Sequence, residues 1–238
     1  MAEGNPPFIR NLASSDLKLR TAALTSLRTF LAPRSLTRIE ALKLWHGLFY
    51  ALWMADRPLP QQSLAASLAD LQLECVRPPS AGVWMSAFWE VVSSKWTSID
   101  VLRMEKFLLL VRRVFCAGVR WAMEAGKEEE ERREVLLGVL REWPFCAEEK
   151  VPLGLRLHVV DVWVDELERV GALGSADADV KALVVGVAEA VRGLTEGVPS
   201  KPLREKARES LNDERLPWYE APNEEDGEEE AVWTGFGD

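Results

Sequence analysis

The sequence predicts an all-α fold: an α-solenoid of antiparallel, HEAT-like helical hairpins, followed by a disordered acidic C-terminal tail. Three observations support this. Apolar residues recur at the helical period over most of the 238 residues. The breaks between periodic segments are short, which favours antiparallel neighbours. Finally, no segment alternates strictly enough over its whole length to favour a strand. No residue-level repeat is visible, so the repetition is one of shape.

The first two long helices have clear start signals. The cluster Ser14-Ser15-Asp16 provides a cap for a helix that ends at 32–35. Thr37 and Glu40 then form a capping box, in which each side chain accepts a hydrogen bond from the backbone N–H of the other residue. This box begins a helix that runs to about Ala55.

Three further helices follow in the first half of the chain. One spans Gln61 to Cys75 and is ended by Pro78-Pro79, after which Ser80 caps the next. A long helix then runs from about Ile99 to Ala125.

The second half continues the pattern. Helices are predicted from the charged stretch 127–133 to about 143, from Pro152 to about Val170, from a Ser175 cap to about 194, and from Pro202 to about 212. Within the second of these, 155–160 partly alternates, so a strand is the alternative there. The 3.6-residue period across 155–170 favours the helix.

The predicted domains are a helical-repeat domain at 1–212 and a tail at 213–238. Residues 219–238 contain eight acidic residues and no Lys or Arg, a composition typical of disorder. Trp233 and Phe236 are unusual in such a segment. They predict either a short motif that orders on a partner or a segment that folds back on the solenoid.

Charge is divided unevenly along the chain. Residues 1–125 carry fifteen Lys/Arg and ten Asp/Glu, whereas residues 126–238 carry fourteen and twenty-eight. This division argues against a protein that coats nucleic acid with its whole surface. It leaves a candidate contact for RNA or an acidic partner on the first long helix, with only Asp16 and Glu40 as nearby acids; the alternative is a solvated basic face. The candidate residues are Lys18, Arg20, Arg28, Arg34 and Arg38.

Catalytic and cofactor motifs are not found. Residues 193–201 lack the Gly-Lys-Ser/Thr ending of a phosphate loop, and no cysteine pair has zinc spacing. His158, Asp161 and Asp165 lie on one predicted helical face, which could hold a metal, but a solvated face is the simpler interpretation. We therefore expect no enzyme, no cofactor and no small-molecule substrate.

Cysteine usage and hydropathy point to a reducing compartment. The odd number of cysteines, Cys75, Cys116 and Cys146, predicts buried free thiols. The first residues lack an apolar signal core, and no apolar run approaches the length of a membrane span. The expected location is the cytosol or nucleus, without a membrane partner.

The helix at 38–56 is apolar on most of its circumference, so it is buried by neighbours or by a partner. A second stripe on it, spaced by 4, 3, 4 and 3 residues, predicts a protein-docking groove; packed core is the alternative. The stripe consists of Lys43, Gly47, Tyr50, Met54 and Arg57.

A family resemblance is carried by this same segment, since residues 43–59 read KLWHGLFYALWMADRPL. With FIRNLAS at 8–14, LTSL at 24–27 and QQSL at 61–64, it resembles the N-terminal signature of the nucleolar ribosomal RNA-processing protein 1 family. The likeness continues more loosely through 83–96 and 100–113.

This resemblance implies a non-catalytic scaffold of the pre-60S particle. Such a factor is needed for processing of the internal spacers of pre-rRNA and resides in the nucleus and nucleolus. It also implies Brix-domain and β-propeller assembly factors as partners, and pre-rRNA as a candidate partner. The Lys-rich C-terminal extension of animal members does not appear in this sequence, whose last residues are acidic. The alternatives are a helical adaptor outside ribosome assembly and a metal-dependent hydrolase that uses the His158 face.

Overall fold

A computed structural model of the protein describes residues 7–124 and 129–220, and the all-α prediction is confirmed within them. These residues form ten α-helices and a short 3-10 turn at Trp96–Ser98, with no strand. The segment at 155–160 lies inside a helix, as its longer period predicted. The helices are α1 (Pro7–Leu12), α2 (Leu17–Leu31), α3 (Arg38–Trp53), α4 (Pro58–Glu74), α5 (Pro78–Lys95), α6 (Val101–Met123), α7 (Glu129–Glu142), α8 (Leu153–Arg169), α9 (Ala178–Arg192) and α10 (Lys201–Leu211).

The helices form two layers, because from α3 onward each packs mainly on helices two places away in the chain, while α1 and α2 pack mainly on each other. The odd-numbered helices α1, α3, α5, α7 and α9 contact one another in sequence to make one layer. The even-numbered helices α2 to α10 do the same to make the other. Contacts of neighbours with neighbours are the defining property of a helical solenoid.

Helices within a layer run parallel, and the two layers run in opposite directions. Arg112 of α6 lies 2.7 Å from Glu166 of α8, and Arg133 of α7 lies 3.0 Å from Asp179 of α9. A second contact in each pair of helices shows the direction, because Leu108 of α6 lies against His158 of α8 and Leu137 of α7 lies against Gly186 of α9. All connections from an odd to an even helix therefore lie on one edge of the solenoid, and the return connections lie on the opposite edge.

Local signals set several helix starts as predicted. Asp16 caps α2 by accepting from Lys18 N, and the Thr37–Glu40 capping box is formed in full at the start of α3. Both caps satisfy backbone donors that the helix leaves free.

The predicted start of α5 is wrong. Pro78-Pro79 occupy the first turn of that helix instead of ending the one before, because proline fits where no helical N–H is needed. Ser80 lies inside α5, where its buried hydroxyl accepts a hydrogen bond from Leu36 N at 2.8 Å. The serine thus joins α5 to the α2–α3 connection.

Two predicted positions later in the chain shift by one or two residues. Asp177, not Ser175, caps α9, while Ser175 accepts a hydrogen bond from Asp177 N in the preceding turn. Pro152 precedes the first helical residue of α8 as its N-cap. The helices themselves are where the periodicity placed them.

The core of the N-terminal half is aromatic. Trp45 of α3 lies with its ring centroid 4.8 Å from Trp84 and 4.9 Å from Phe88, both of α5. Its Nε1 donates to the Trp84 carbonyl oxygen at 3.0 Å. On the other side of α3, Phe49 stacks on Phe107 of α6 at 4.4 Å. These rings fix α3 between the two layers.

The packed structure continues past the predicted domain boundary at residue 212. Leu216 is buried, and Trp218 Nε1 donates to the Leu211 carbonyl oxygen at 3.2 Å. The first residues of the predicted tail therefore pack on α8 and α10. The predicted motif of Trp233 and Phe236 lies outside the described residues. Across the part of the chain described, no helix combines the length and hydropathy needed to cross a membrane.

Candidate docking surfaces

The predicted docking stripe on α3 is exposed at four of its five positions. Lys43, Tyr50, Met54 and Arg57 are exposed, whereas Gly47 is buried. The groove predicted around a small central residue is therefore not open at that residue. What remains is a line of exposed side chains that leads to the C-terminal end of α3, and its role as a docking surface stays a prediction.

That line ends at a larger uncovered apolar surface, which we call the rim. The rim consists of Met54, Leu59, Val101 and Leu102 at the α3–α4 and α5–α6 connections. These four side chains are between 62% and 93% exposed. The two connections lie side by side, since Arg103 has its guanidinium carbon 5.1 Å from the Trp53 ring centroid. Exposed apolar side chains grouped on one edge of a protein mark interaction sites.

A buried lysine holds the rim in shape. Lys106 of α6 is only 5% exposed, and its Nζ donates to the carbonyl oxygens of Trp53 at 2.7 Å and Ala55 at 2.9 Å. Burial lowers the pKa of this ammonium, with a further lowering from Arg103. A cation at the carbonyl end of α3 also complements the helix dipole. The start of α6 is thereby fixed to the end of α3.

Three rim residues were not predicted as contacts, although the sequence carries a signal for two of them. Val101 and Leu102 follow directly on Asp100, whose carboxylate caps α6 by accepting from Arg103 N at 3.1 Å. A helix start at 101 places both on the first turn, off the face that carries Phe107 into the core. The predicted helix start at residue 99 did not show that Val101 and Leu102 are the first two residues of α6.

The predicted basic contacts are largely engaged within the protein. Arg28 pairs with Glu74 at 2.7 Å, and Arg38 pairs with Glu90 at 2.6 Å. The premise that only Asp16 and Glu40 lie near them is wrong, because partners from α4 and α5 fold against them.

The other members of that set differ from one another. Arg20 donates to the carbonyl oxygens of Ser14 and Ser15, and the guanidinium of Arg34 lies 4.1 Å from the Phe30 ring centroid. Lys18 is exposed. Contact of this surface with RNA stays a prediction.

The predicted His158 face is divided among different partners. His158 Nε2 donates to the Leu108 carbonyl oxygen at 3.1 Å, and burial lowers the pKa of the ring. Asp161 pairs with Lys206 at 2.7 Å, and Asp165 with Arg215 at 3.1 Å. Nowhere in 7–124 or 129–220 do three His, Cys, Asp or Glu side chains converge as a metal site would need. The face is thus structural: His158 and Asp165 are half-buried beneath their neighbours, while Asp161 is exposed.

The three cysteines are free thiols. Cys116 and Cys146 are buried and Cys75 is half-buried. Burial raises the pKa of each thiol, which disfavours the reactive thiolate.

Comparison with known proteins identifies the family of this chain. The family model described as the nucleolar protein Nop52 matches residues 3–235, nearly the whole chain. The chain belongs to the Nop52 family. The predicted location in the nucleus and nucleolus is confirmed at this level, since the family is one of nucleolar proteins.

Curated relatives carry names that agree with the resemblance found in the sequence. Ribosomal RNA processing protein 1 homolog B of Homo sapiens is 34% identical over 173 residues, covering 69% of this chain and 22% of that protein. Homolog A of Mus musculus is 33% identical over 176 residues, covering 70% and 35%. The homolog of Drosophila melanogaster is 27% identical over 170 residues, covering 68% and 24%. The chain therefore spans a minor part of the length of these relatives.

Proposed function

We propose that this member of the Nop52 family acts in ribosomal RNA processing as a non-catalytic scaffold of the large-subunit precursor. Its relatives are named for ribosomal RNA processing, which supports the general role. The observation that carries the scaffold role is the rim: uncovered apolar side chains held in place by the buried Lys106. The proposed scaffold supports processing of the internal spacers by holding factors together rather than by cutting RNA.

The chemistry of the rim suits a protein partner. Covering a leucine or valine side chain contributes about 1.5–3 kcal/mol each through the hydrophobic effect. Four such side chains on a fixed edge together contribute about 6–12 kcal/mol, which is comparable with the cost of association, so they can anchor one partner together with the polar contacts around them. Cations at Lys43 and Arg57 and the ring of Tyr50 flank the rim on the α3 side. The partner we propose is another assembly factor with an apolar pocket or helix; Brix-domain and β-propeller factors remain the classes that the resemblance implies.

The test is co-sedimentation of the tagged protein with ribosomal precursors. The rim variant carries Leu59→Ser, Val101→Ser and Leu102→Ser, which touch exposed positions and should leave the melting temperature within a few degrees. We expect the wild type to sediment with large-subunit precursors and the rim variant to lose most of that association.

A matched control carries the same number of apolar-to-serine changes elsewhere. Ile39, Val185 and Tyr219 are also exposed but lie at the start of α3, on α9 and after α10, away from the rim. The control variant should sediment like the wild type. Equal retention by the rim variant would remove the rim from the proposal, and a wild type that ignores precursors would favour the alternative of an adaptor outside ribosome assembly. The hydrolase alternative draws no support from the separated partners of His158.

A further inference from the structure

A second surface of different chemistry lies on the even layer, between the C-terminal halves of α6 and α8. We call it the α6–α8 cleft. It has a volume of about 440 Å³. Its lining combines three guanidinium groups with one carboxylate and a small apolar floor. The residues are Arg113, Cys116, Arg120, Met123, Glu124, Arg169 and Val170.

The arginines of this cleft are incompletely neutralised. Arg113 has no hydrogen bond or ion pair with any residue of the described ranges. Arg120 lies 3.6 Å from Glu124 and 3.9 Å from Asp70, both longer than a good hydrogen bond. Their charge is therefore available to an anion that enters the cleft.

Arg169 adds to this excess because it shares its partner. Its Nε lies 3.1 Å from Oε2 of the buried Glu166, whose Oε1 is already 2.7 Å from Nε of Arg112. One carboxylate thus faces two guanidinium groups. Among the residues that line the cleft, three arginines face a single carboxylate, that of Glu124. By contrast, Arg28 and Arg38 each have a carboxylate of their own.

We propose that the α6–α8 cleft binds the phosphate backbone of RNA. The guanidinium is the side chain best matched to phosphate oxygens, since its planar group donates two parallel hydrogen bonds. Arg113 and Arg120 lie seven residues apart on α6, about 10 Å along the helix axis, so they can reach different phosphates of one strand. Which RNA is bound rests on the proposed function, under which it is pre-rRNA.

The lining favours RNA over an acidic peptide. A peptide brings backbone N–H and C=O groups that need partners of their own, and the lining side chains include no amide and no hydroxyl group. Its only carboxylate, Glu124, already lies against Arg120. A phosphate backbone needs cations alone, and contacts of that kind position a strand without reading its sequence.

Fluorescence anisotropy of the full chain with a labelled oligouridylate of about 20 nucleotides tests the proposal, measured between about 50 and 200 mM salt. The cleft variant carries Arg113→Gln, Arg120→Gln and Arg169→Gln. A control carries Arg141→Gln, Arg192→Gln and Lys201→Gln, which remove the same charge from exposed cations that do not line the cleft. We expect the cleft variant to lose about tenfold or more in affinity and its salt slope to fall by about 2, since each lost phosphate contact removes about 0.7 for single strands. The control should lose less than about threefold.

Arg113→Glu guards against a folding effect, because this arginine has no hydrogen bond or ion pair to lose within 7–124 and 129–220. It should keep the melting temperature of the wild type and weaken binding of the oligonucleotide by several-fold. Equal losses in the cleft and control variants would overturn the proposal, as would a wild type that binds a polyglutamate peptide but no oligouridylate. The proposed function is tested separately by co-sedimentation. If the cleft variant loses RNA affinity but the wild type does not sediment with precursors, the assignment of the cleft stands and the scaffold role is refuted.

Discussion

Two interfaces with the same architecture differ sharply in their chemistry. Between α3 and α5 the buried contact is aromatic, with Trp45 placed against Trp84 and Phe88, and the ion pair of Arg38 with Glu90 lies at its exposed margin. Between α6 and α8 the contact includes ionic groups, among them the pair of Arg112 with the buried Glu166. Both interfaces join parallel helices of one layer two places apart in the chain.

The α3–α5 contact fixes the spacing of its two helices, whereas the α6–α8 contact also leaves positive charge at its edge. In the α3–α5 contact the buried indole N–H of Trp45 is satisfied by the Trp84 carbonyl oxygen, so the buried part of that contact serves packing. Buried ions are costly and add little net stability, so an interface that includes them is a poor choice for packing alone. The α6–α8 interface also borders the α6–α8 cleft, whose arginines we propose bind phosphate.

The largest expected effect is on the aromatic side. Trp45→Ala removes a fully buried ring and leaves a cavity, which should lower the free energy of unfolding by about 3–5 kcal/mol. Urea denaturation followed by circular dichroism measures this. Tyr50→Ala, five residues along the same helix but exposed, should cost about 1 kcal/mol or less. Equal losses would place both rings in the core and erase the contrast between the inner and outer faces of α3.

The ionic interface should respond next. Glu166→Gln keeps the shape of the side chain but withdraws the carboxylate from Arg112 and Arg169, and we expect a loss of about 1–3 kcal/mol in the free energy of unfolding. Glu168→Gln is the matched control, because its carboxylate pairs with Arg215 at the surface and should contribute about 1 kcal/mol or less. If Glu166→Gln leaves the free energy of unfolding unchanged, the carboxylate does not stabilise the α6–α8 interface.

The pH dependence of stability sharpens the contrast further. Burial lowers the pKa of His158 below its unfolded value of about 6.5, opposed by the hydrogen bond to Leu108 and aided by Arg112. The unfolded chain therefore binds the proton more tightly. The stability contributed by the neutral ring is present above about 6.5 and is lost as the pH falls through the folded pKa.

His158→Gln should consequently lose less stability than the wild type when the pH is lowered from about 7 to about 5. Chemical denaturation at each pH gives the two slopes. Identical slopes would mean that the ring titrates in the fold as it does in the unfolded chain, contrary to its burial at α6.

The smallest expected effect is at the paired surface arginines. Arg38→Gln breaks an exposed ion pair with Glu90 and should lower the free energy of unfolding by about 0.2–1 kcal/mol. Thermal melts at low and high salt measure this, and added salt should reduce the difference between variant and wild type. A loss that persists undiminished at high salt would show that the Arg38 stem contributes by packing instead.

Periodicity and capping signals were sufficient for the helices, because those signals are local. Thr37 and Glu40 predict the start of α3 from four consecutive residues. The pairing of Arg28 with Glu74, 46 residues away, could not be foreseen, because it depends on how helices stack. The same holds for the cleft, whose arginines come from two helices, and for the rim, whose exposure depends on the first residue of α6.

The stacking of α3 to α10 mainly on helices two places away bears on how the molecule folds and opens. Contacts close in sequence require only short loops to be closed, so folding should be fast for a chain of this size. Since the main helix contacts within 7–124 and 129–220 join helices at most three places apart, opening can begin at either end and stop partway. Hydrogen exchange should then be slowest in α5 to α7 and progressively faster toward α1 and α10. A partner that grips the rim would slow exchange first in α3 and α6, the two helices that Lys106 ties together.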